Sequence, residues 1–169
     1  MSAEVPDTGQ LQALASEVAE RLLARAQMLA SAESCTGGLI AKLATDLPGS
    51  SRWFDGGIIS YSNRAKQDWL GVAPTLLDEY GAVSAPVVLA MAEGLLRRSA
   101  ADWTVAVSGI AGPDGGSSDK PVGTVWIAWA GAGLAASASR YRFDGTRDAV
   151  RRLSAAAALT GIRDLLGAG

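Results

Sequence analysis

Four segments of the chain combine glycine-containing loops with hydroxyl, amine or guanidinium side chains, the groups from which a catalytic site could be built. They lie at residues 32–38, 60–66, 108–116 and 143–148. The chain has no histidine, which excludes Ser-His-Asp and Cys-His catalysis and any histidine-ligated zinc or haem site. A general base in this protein must therefore be a carboxylate, a lysine, a tyrosine or a water molecule.

The first segment, AESCTGG, places Ser34 and Thr36 where the pattern predicts the start of a helix. Unpaired main-chain N–H groups at such a position stabilise an anion or oxyanion. The simpler interpretation is that one of the two hydroxyls only caps the helix. The spacing fits neither the Walker A loop nor the GxGxxG fingerprint. Without a histidine partner, Cys35 is predicted to be a small buried thiol rather than a nucleophile.

The second segment contains Lys66, one of only three lysines against twelve arginines. Lysine can act as a general base where burial or a neighbouring cation lowers its pKa, and arginine cannot. Tyr61 would approach Lys66 if the chain turns at Asn63. The alternative is a solvated lysine at a helix start and a tyrosine packed at a strand end.

The third segment, Ser108 to Gly116, follows a continuous apolar run. Successive main-chain N–H groups in such a loop can form a nest that binds phosphate or an oxyanion. The alternative is a flexible surface loop. Lys120, which follows it, is expected to be solvated.

The fourth segment places Arg147 in the first turn of a predicted helix, where the helix dipole disfavours a cation. We therefore expect Arg147 to pair with an anion, either the carboxylate of Asp148 or a bound phosphate. Arg151 and Arg152, further along the same helix, are expected to be solvated.

Hydrophobic periodicity and turn signals predict the elements that position these segments. The predicted helices cover residues 10–27, 36–47, 64–70, a segment from Pro74, 85–99 and 146–166, and the predicted strands cover 28–32, part of 53–62, 103–107, 122–130 and 134–143. Gly56 and Gly57 indicate a bulge or a close backbone approach, and residues 131–133 suit a hairpin turn. This order predicts an α/β protein, a three-layer α/β/α sandwich with a mixed sheet of about five strands.

The length of 169 residues, with 49% hydrophobic and 19% charged residues, predicts one domain over 1–169 with residues 1–9 as a flexible N-terminus. The net charge of −2 argues against a nucleic-acid partner. Neither a signal peptide nor an apolar run long enough for a membrane span is visible. A single cysteine favours a reducing compartment, so we expect a cytoplasmic protein without a membrane partner.

Six blocks of the sequence cover nearly the whole chain after about residue 10. They are AESCTGG at 32–38, GGIISYSNRAKQDWLGV at 56–72, GAVSAPVVLAMAEG at 81–94, SGIAGPDGG at 108–116, KPVGTVWIA at 120–128 and FDGTRDAVR at 143–151. In type and order these blocks resemble the CinA C-terminal domain family. Longer members of the family carry an extra N-terminal domain similar to molybdopterin-binding proteins. This chain resembles the short, stand-alone form.

The resemblance implies hydrolysis of the carboxamide of nicotinamide mononucleotide (NMN) to nicotinate mononucleotide and ammonia, with no metal or organic cofactor. It matches Ser34 to the family's nucleophile, Lys66 to its activating base and Tyr61 to an assisting residue. It also matches Arg147 to a group that binds the substrate or its phosphate. Together with the loop analysis, it gives the expected substrate-binding set: Thr36, Gly37, Gly38, Ser108, Gly109, Gly112 and Arg147.

A Ser-Lys pair is a known variant of the catalytic triad and agrees with the absence of histidine. Main-chain N–H groups near Thr36 and Gly37, or near Gly109, would hold the oxyanion. Two alternatives remain open: a catalytically silent nucleotide-binding or regulatory module, as the family's link to competence and DNA repair suggests, and an amidase for another small carboxamide such as nicotinamide riboside. Members of the family form homo-oligomers, and five tryptophans could leave an apolar interface.

Overall fold

The structure is a computed structural model that describes residues 4–131 and 133–167. Within these residues, the chain forms six α-helices and five strands. In chain order they are α1 (Thr8–Arg25), β1 (Leu29–Glu33), α2 (Leu39–Thr45), β2 (Phe54–Ile59), α3 (Asn63–Leu70), α4 (Pro74–Tyr80), α5 (Ala85–Arg98), β3 (Trp103–Gly109), β4 (Thr124–Gly131), β5 (Leu134–Arg142) and α6 (Arg147–Gly167), with a short 3₁₀ turn at Ser50–Arg52 before β2.

The strands form one mixed sheet in the order β2-β1-β3-β4-β5. Strand β1 runs parallel to β2 and β3, whereas β4 runs antiparallel to β3 and β5. Strand β5 therefore has the same direction as β3. The carboxyl ends of β1, β2, β3 and β5 all lie at one edge of the sheet, and each is followed by one of the four segments that the sequence singles out. Open α/β sheets bind ligands at this edge.

Helices cover both faces of the sheet. Side chains along each strand point alternately to one face and the other, so each strand contributes to two cores. On one face, α1, α2 and α6 pack against large side chains such as Leu29, Val105, Ile127 and Trp129. On the other face, α3, α4 and α5 pack against a row of strand alanines: Ala30, Ala32, Ala106, Ala128 and Ala130. Small side chains let α5 lie close to the sheet. The predicted α/β/α sandwich with a mixed sheet of five strands is confirmed.

Both interpretations of the paired glycines in β2 are confirmed. The pairing of β1 with β2 skips Asp55, because Leu29 pairs with Phe54 and Ala30 pairs with Gly56, which is a bulge. A Cβ atom added to Gly57 would lie 2.8 Å from Ser31 Oγ, closer than real Cβ contacts. The lack of a side chain at Gly57 therefore lets β2 pack tightly beside β1.

Two helices begin two or three residues away from the predicted position. Helix α1 begins at Thr8 rather than at residue 10, because Asp7 and Gln10 form a capping box at its start. Helix α2 begins at Leu39 rather than at Thr36, because Gly37 and Gly38 have φ values of +59° and +97°, outside the helical range.

Some sequence predictions fall on residues that the structure does not describe. Residues 1–3 of the predicted flexible N-terminus and Ala132 of the predicted hairpin turn lie outside the described residues. Within the described ranges, none of the helices is both long and apolar enough to cross a membrane.

The burial of the tryptophans can be compared with the expectation that they leave an apolar interface. Trp53, Trp103 and Trp129 are buried in the core, whereas Trp69 is 53% exposed on α3. The oligomeric state stays a prediction.

Candidate active site

Ser34 lies immediately after β1, in a tight turn at the carboxyl edge of the sheet. Its N–H donates to the carbonyl of Val107 on β3, and its own carbonyl accepts from the N–H of Gly37, each at 3.0 Å. The left-handed conformation of Gly37 allows this turn. Ser34 is buried, and its side chain lines a cavity.

Lys66 extends from α3 into the same region and is only 1% exposed. Helix α3 is fixed at its start by Ser62, whose Oγ accepts from the N–H of Ala65 at 3.0 Å. The Lys66 Nζ atom lies 3.0 Å from Ser34 Oγ, 2.8 Å from the carbonyl oxygen of Ser60 and 3.1 Å from that of Tyr61. Three oxygens therefore surround one buried amine.

The three oxygens around Lys66 differ in whether they can donate a hydrogen bond or only accept one. Carbonyl oxygens only accept hydrogen bonds, whereas the Ser34 hydroxyl can also donate. A neutral amine has two N–H bonds and one lone pair. When the two N–H groups donate to the carbonyls of Ser60 and Tyr61, the lone pair is left to face Ser34 Oγ. The arrangement thus suits transfer of the Ser34 proton to Lys66.

Burial lowers the pKa of Lys66 from 10.5 to about 8. The low-polarity surroundings disfavour the ammonium form. None of the ion pairs found within the described part of the chain includes Lys66, and its three hydrogen-bond partners are neutral oxygens. With this pKa, about one tenth of the protein carries a neutral amine at pH 7.

Arg147 connects two other walls of the cavity. Its Nη1 donates to the carbonyl of Gly112 at 2.8 Å, and its Nη2 donates to the hydroxyl of Tyr61 at 3.1 Å. The predicted pairing of Arg147 with Asp148 is wrong: none of the ion pairs in the described part of the chain joins them, and the guanidinium donates to these two neutral oxygens instead. Tyr61 is 60% exposed, so its ring stands at the open side of the site.

The cavity has a volume of about 320 Å³, within the size range of small-molecule sites. Seven of the ten predicted site residues line it: Ser34, Tyr61, Lys66, Ser108, Gly109, Gly112 and Arg147. The cavity wall also includes residues that the sequence analysis did not assign to the site, among them Asn63, Ala82, Val83 and Asp114. Ala82 and Val83 precede α5, and nothing in their residue types signals a site.

Thr36, Gly37 and Gly38 do not line the cavity. Thr36 is fully buried, and its Oγ1 has no hydrogen-bond partner in the part of the chain that the structure describes. Gly38 is half-buried, and a Cβ atom added there would lie 3.0 Å from the side chain of Ile59. Their expected contact with substrate stays a prediction.

Neither Ser34 nor Thr36 caps α2, so that alternative is wrong. The buried carboxylate of Glu33 takes this position: Oε1 accepts from the N–H of Ile40 at 2.9 Å and Oε2 from that of Ala41 at 3.0 Å. The sequence signal was present in the glutamate before Ser34. It was missed because the cap acts from the strand across a turn, not from the residue just before the helix.

The prediction of a solvated side chain is wrong for Arg151 and Arg152, which are half-buried, whereas the contact that Lys120 makes is exposed. Arg151 donates from Nε to the carbonyl of Cys35 at 3.2 Å and from Nη2 to that of Thr36 at 2.9 Å. Arg152 donates from Nε to the carbonyl of Pro6 at 2.8 Å, and Lys120 donates from Nζ to the carbonyl of Tyr80 at 2.6 Å. Local sequence gives no sign of such distant partners.

Cys35 is a buried thiol, as predicted. Burial raises its pKa to about 12, so the reactive thiolate is scarce at neutral pH. Among the described residues, no three side chains of the metal-binding acidic, thiol or imidazole types come together in a group that could hold a metal ion.

The chain is similar in sequence to known proteins. A family model described as the CinA C-terminal domain matches residues 11–166. "Nicotinamide-nucleotide amidohydrolase PncC" of Escherichia coli K12 is 51% identical over 150 residues, covering 89% of this chain and 91% of that protein.

Solved structures show the same fold. The competence/damage inducible protein CihA from Agrobacterium tumefaciens superposes with a TM-score of 0.91 at 38% identity, covering 98% of this chain and 99% of that one. A CinA superfamily protein from Klebsiella pneumoniae superposes with a TM-score of 0.90 at 35% identity, covering 94% and 99%.

Proposed function

Because this chain belongs to the CinA C-terminal domain family, we propose that it is a nicotinamide-nucleotide amidohydrolase. The reaction converts NMN and water to nicotinate mononucleotide and ammonia. The observation that carries the proposal is the contact between the buried amine of Lys66 and the hydroxyl of Ser34, at the wall of a cavity that also presents Arg147. A relative that is 51% identical and has this activity in its name supports it further.

In the first half of the proposed mechanism, Ser34 becomes an acyl carrier. The neutral amine of Lys66 accepts the Ser34 proton, and Oγ forms a bond to the carboxamide carbon of NMN. The tetrahedral intermediate then breaks its C–N bond. The leaving nitrogen takes a proton from the Lys66 ammonium, relayed by the Tyr61 hydroxyl, and departs as ammonia. Ser34 is left as an ester of nicotinate mononucleotide.

In the second half, water replaces ammonia as the reacting group. Lys66 accepts a proton from the water, whose oxygen bonds to the ester carbon. The bond from that carbon to Ser34 Oγ breaks, and Lys66 returns the proton to Oγ. The products are nicotinate mononucleotide and the regenerated enzyme. One lysine therefore serves as base and acid in both halves of the reaction.

The oxyanion needs main-chain N–H donors that are not already used, each worth about 3 kcal/mol of barrier. The N–H of Gly37 donates to the carbonyl of Ser34, so it is occupied. Thr36 does not line the cavity, so the N–H of Gly109, which does, is the proposed donor. Gly109 suits this role, because a Cβ atom there would lie 2.6 Å from a methyl group of Val125, which leaves only glycine at that point of the wall.

Arg147 is the proposed partner of the NMN phosphate. Among the cavity-lining residues in the described part of the chain, Arg147 is the only arginine. Its planar fork can bind a phosphate with two hydrogen bonds. In the structure the fork donates to Gly112 and Tyr61, so the phosphate would replace or share these partners.

The test is an ammonia-release assay on the purified protein with NMN and with nicotinamide riboside, which has the same carboxamide without the phosphate. We expect the wild type to release ammonia from NMN. Arg147→Met should raise KM for NMN at least about tenfold, because a hydrogen bond to a charged group is worth roughly 1.5–3 kcal/mol. The same substitution should change the slower reaction of the riboside little.

Two outcomes would reject parts of the proposal. No ammonia from NMN, with NMN bound, would favour a silent nucleotide-binding module. Equal use of both substrates by the wild type would favour an amidase for a phosphate-free carboxamide.

The pH dependence of the reaction follows from the pKa of Lys66. Because the base must be neutral, kcat/KM for NMN should rise about tenfold per pH unit below pH 8 and level off above it. Ammonia release measured from pH 6 to 9.5, corrected for NMN breakdown without protein, gives the profile. A value of kcat/KM that stays constant or falls between pH 6 and 8 would exclude neutral Lys66 as the base.

A further inference from the structure

We infer that Arg151 is a positioning residue for the nucleophile, acting through the main chain that follows Ser34. This inference deepens the proposed function and rests on it. Arg151 lies on α6, and its guanidinium donates to two consecutive carbonyls, those of Cys35 at 3.2 Å and Thr36 at 2.9 Å. These carbonyls belong to the two residues that follow Ser34, so Arg151 fixes the direction in which the chain leaves the nucleophile.

The turn after Ser34 is shaped to receive this guanidinium. Gly37 closes the turn through its N–H and has a φ of +59°. A Cβ atom at Gly37 would lie 3.1 Å from Arg151 Nη2, so a side chain there would press on the guanidinium. The glycine therefore serves both the turn and the approach of Arg151.

Two charged side chains divide the polar main-chain groups of this segment between them. The carboxylate of Glu33 accepts from the N–H groups of Ile40 and Ala41, and Arg151 donates to the carbonyls of Cys35 and Thr36. Buried main-chain groups without partners are costly, so this division holds the turn in one conformation. Fixing the turn fixes Ser34 Oγ in contact with Lys66.

Arginine suits this position better than lysine. A guanidinium is planar and carries several donors in a fixed arrangement, whereas an ammonium is a compact charge that would not bridge both carbonyls in the same way. Arg151 also lies four residues after Arg147, so both side chains project from the same face of α6. One helix therefore contacts both the glycine loop at Gly112 and the turn that carries Ser34.

The experiment compares Arg151→Met and Arg151→Lys with a matched control, Arg152→Met. Arg152 is the next residue on α6 and also donates to a distant carbonyl, that of Pro6, away from the cavity. For each variant, kcat and KM for NMN are measured, with the midpoint of thermal unfolding. The rate at which Ser34 displaces fluoride from an alkyl fluorophosphonate reports the reactivity of the hydroxyl without using NMN.

We expect Arg151→Met to lower kcat about 10²-fold, the scale of a 1 Å displacement of a reacting group, and to leave KM within about threefold. Labelling of Ser34 should fall in parallel. Arg151→Lys should recover part of both rates, and Arg152→Met should match the wild type in both. A fold defect alone would lower the unfolding midpoint without this split between kcat and KM.

Several outcomes would overturn the inference. One is that Arg151→Met keeps kcat and labelling within about threefold of Arg152→Met. Another is that KM rises while kcat and labelling stay unchanged, which would make Arg151 a substrate contact. If Arg151→Met does not fold, wild-type rates in Arg151→Lys would also overturn it. Failure of the wild type to hydrolyse NMN would reject the proposed function, while the labelling rates would still decide the role of Arg151.

Discussion

Replacing Lys66 with methionine is expected to lower kcat for NMN by about 10³–10⁴-fold, the upper range for loss of a general base. Methionine has a similar length without an amine, so it fills the buried space but cannot accept the Ser34 proton. Lys66→Arg is the complementary change, because it keeps donors for the carbonyls of Ser60 and Tyr61 but stays protonated. Both variants should lose activity, measured as ammonia release.

The matched control for these variants is Lys42→Met. Lys42 is an exposed lysine on α2, where its ammonium pairs with Asp46. Its removal should leave kcat unchanged, and its effect on stability should be small, because surface ion pairs are worth about 0–1 kcal/mol. If Lys66→Met turned over NMN within tenfold of Lys42→Met, a base other than Lys66 would have to activate Ser34.

Ser34→Ala is expected to lower kcat by about 10⁴–10⁶-fold, because it removes the atom that would form the acyl-enzyme. The fold should persist, since the buried amine keeps its contacts to the carbonyls of Ser60 and Tyr61. NMN should still bind and raise the unfolding midpoint. At a hundred times Kd, a bound ligand stabilises the folded state by about 2.7 kcal/mol.

Ser154→Ala provides the comparison for Ser34→Ala. Ser154 is also a buried serine, but its hydroxyl donates only within α6, to the carbonyl of Val150 at 2.6 Å. Its loss should leave turnover at the wild-type level. Turnover by Ser34→Ala within tenfold of Ser154→Ala would rule out a covalent intermediate on Ser34 and favour direct attack by water.

Much of the site was predictable because its signals are local or arise from composition. The absence of histidine favours a lysine as the general base. Ser34 and Lys66 follow β1 and β2, which are adjacent parallel strands. Since such strands end at the same edge, residues just beyond them come together. The alternation of apolar residues and the paired glycines of β2 likewise predicted the sandwich and the bulge.

The parts that were not predictable depend on where side chains from distant segments point. Arg151 reaches carbonyls more than a hundred residues earlier in the chain, and Glu33 caps a helix that begins six residues later. Local charge patterns favour solvated arginines and a cap next to the helix, so both predictions failed. The pairing of Arg147 with Asp148 failed for the same reason, because the guanidinium donates to Gly112 and Tyr61, which lie 35 and 86 residues earlier in the chain.

The buried amine of Lys66 also determines how the fold responds to alkali. In the unfolded chain this lysine keeps its proton up to about pH 10.5, whereas the folded protein releases it near pH 8. Between these values the unfolded state binds more protons, so the free energy of unfolding increases with pH. The penalty in the folded state at pH 7, on the order of 2–3 kcal/mol, disappears as the medium becomes alkaline. The same deprotonation that prepares the base therefore also stabilises the protein that holds it.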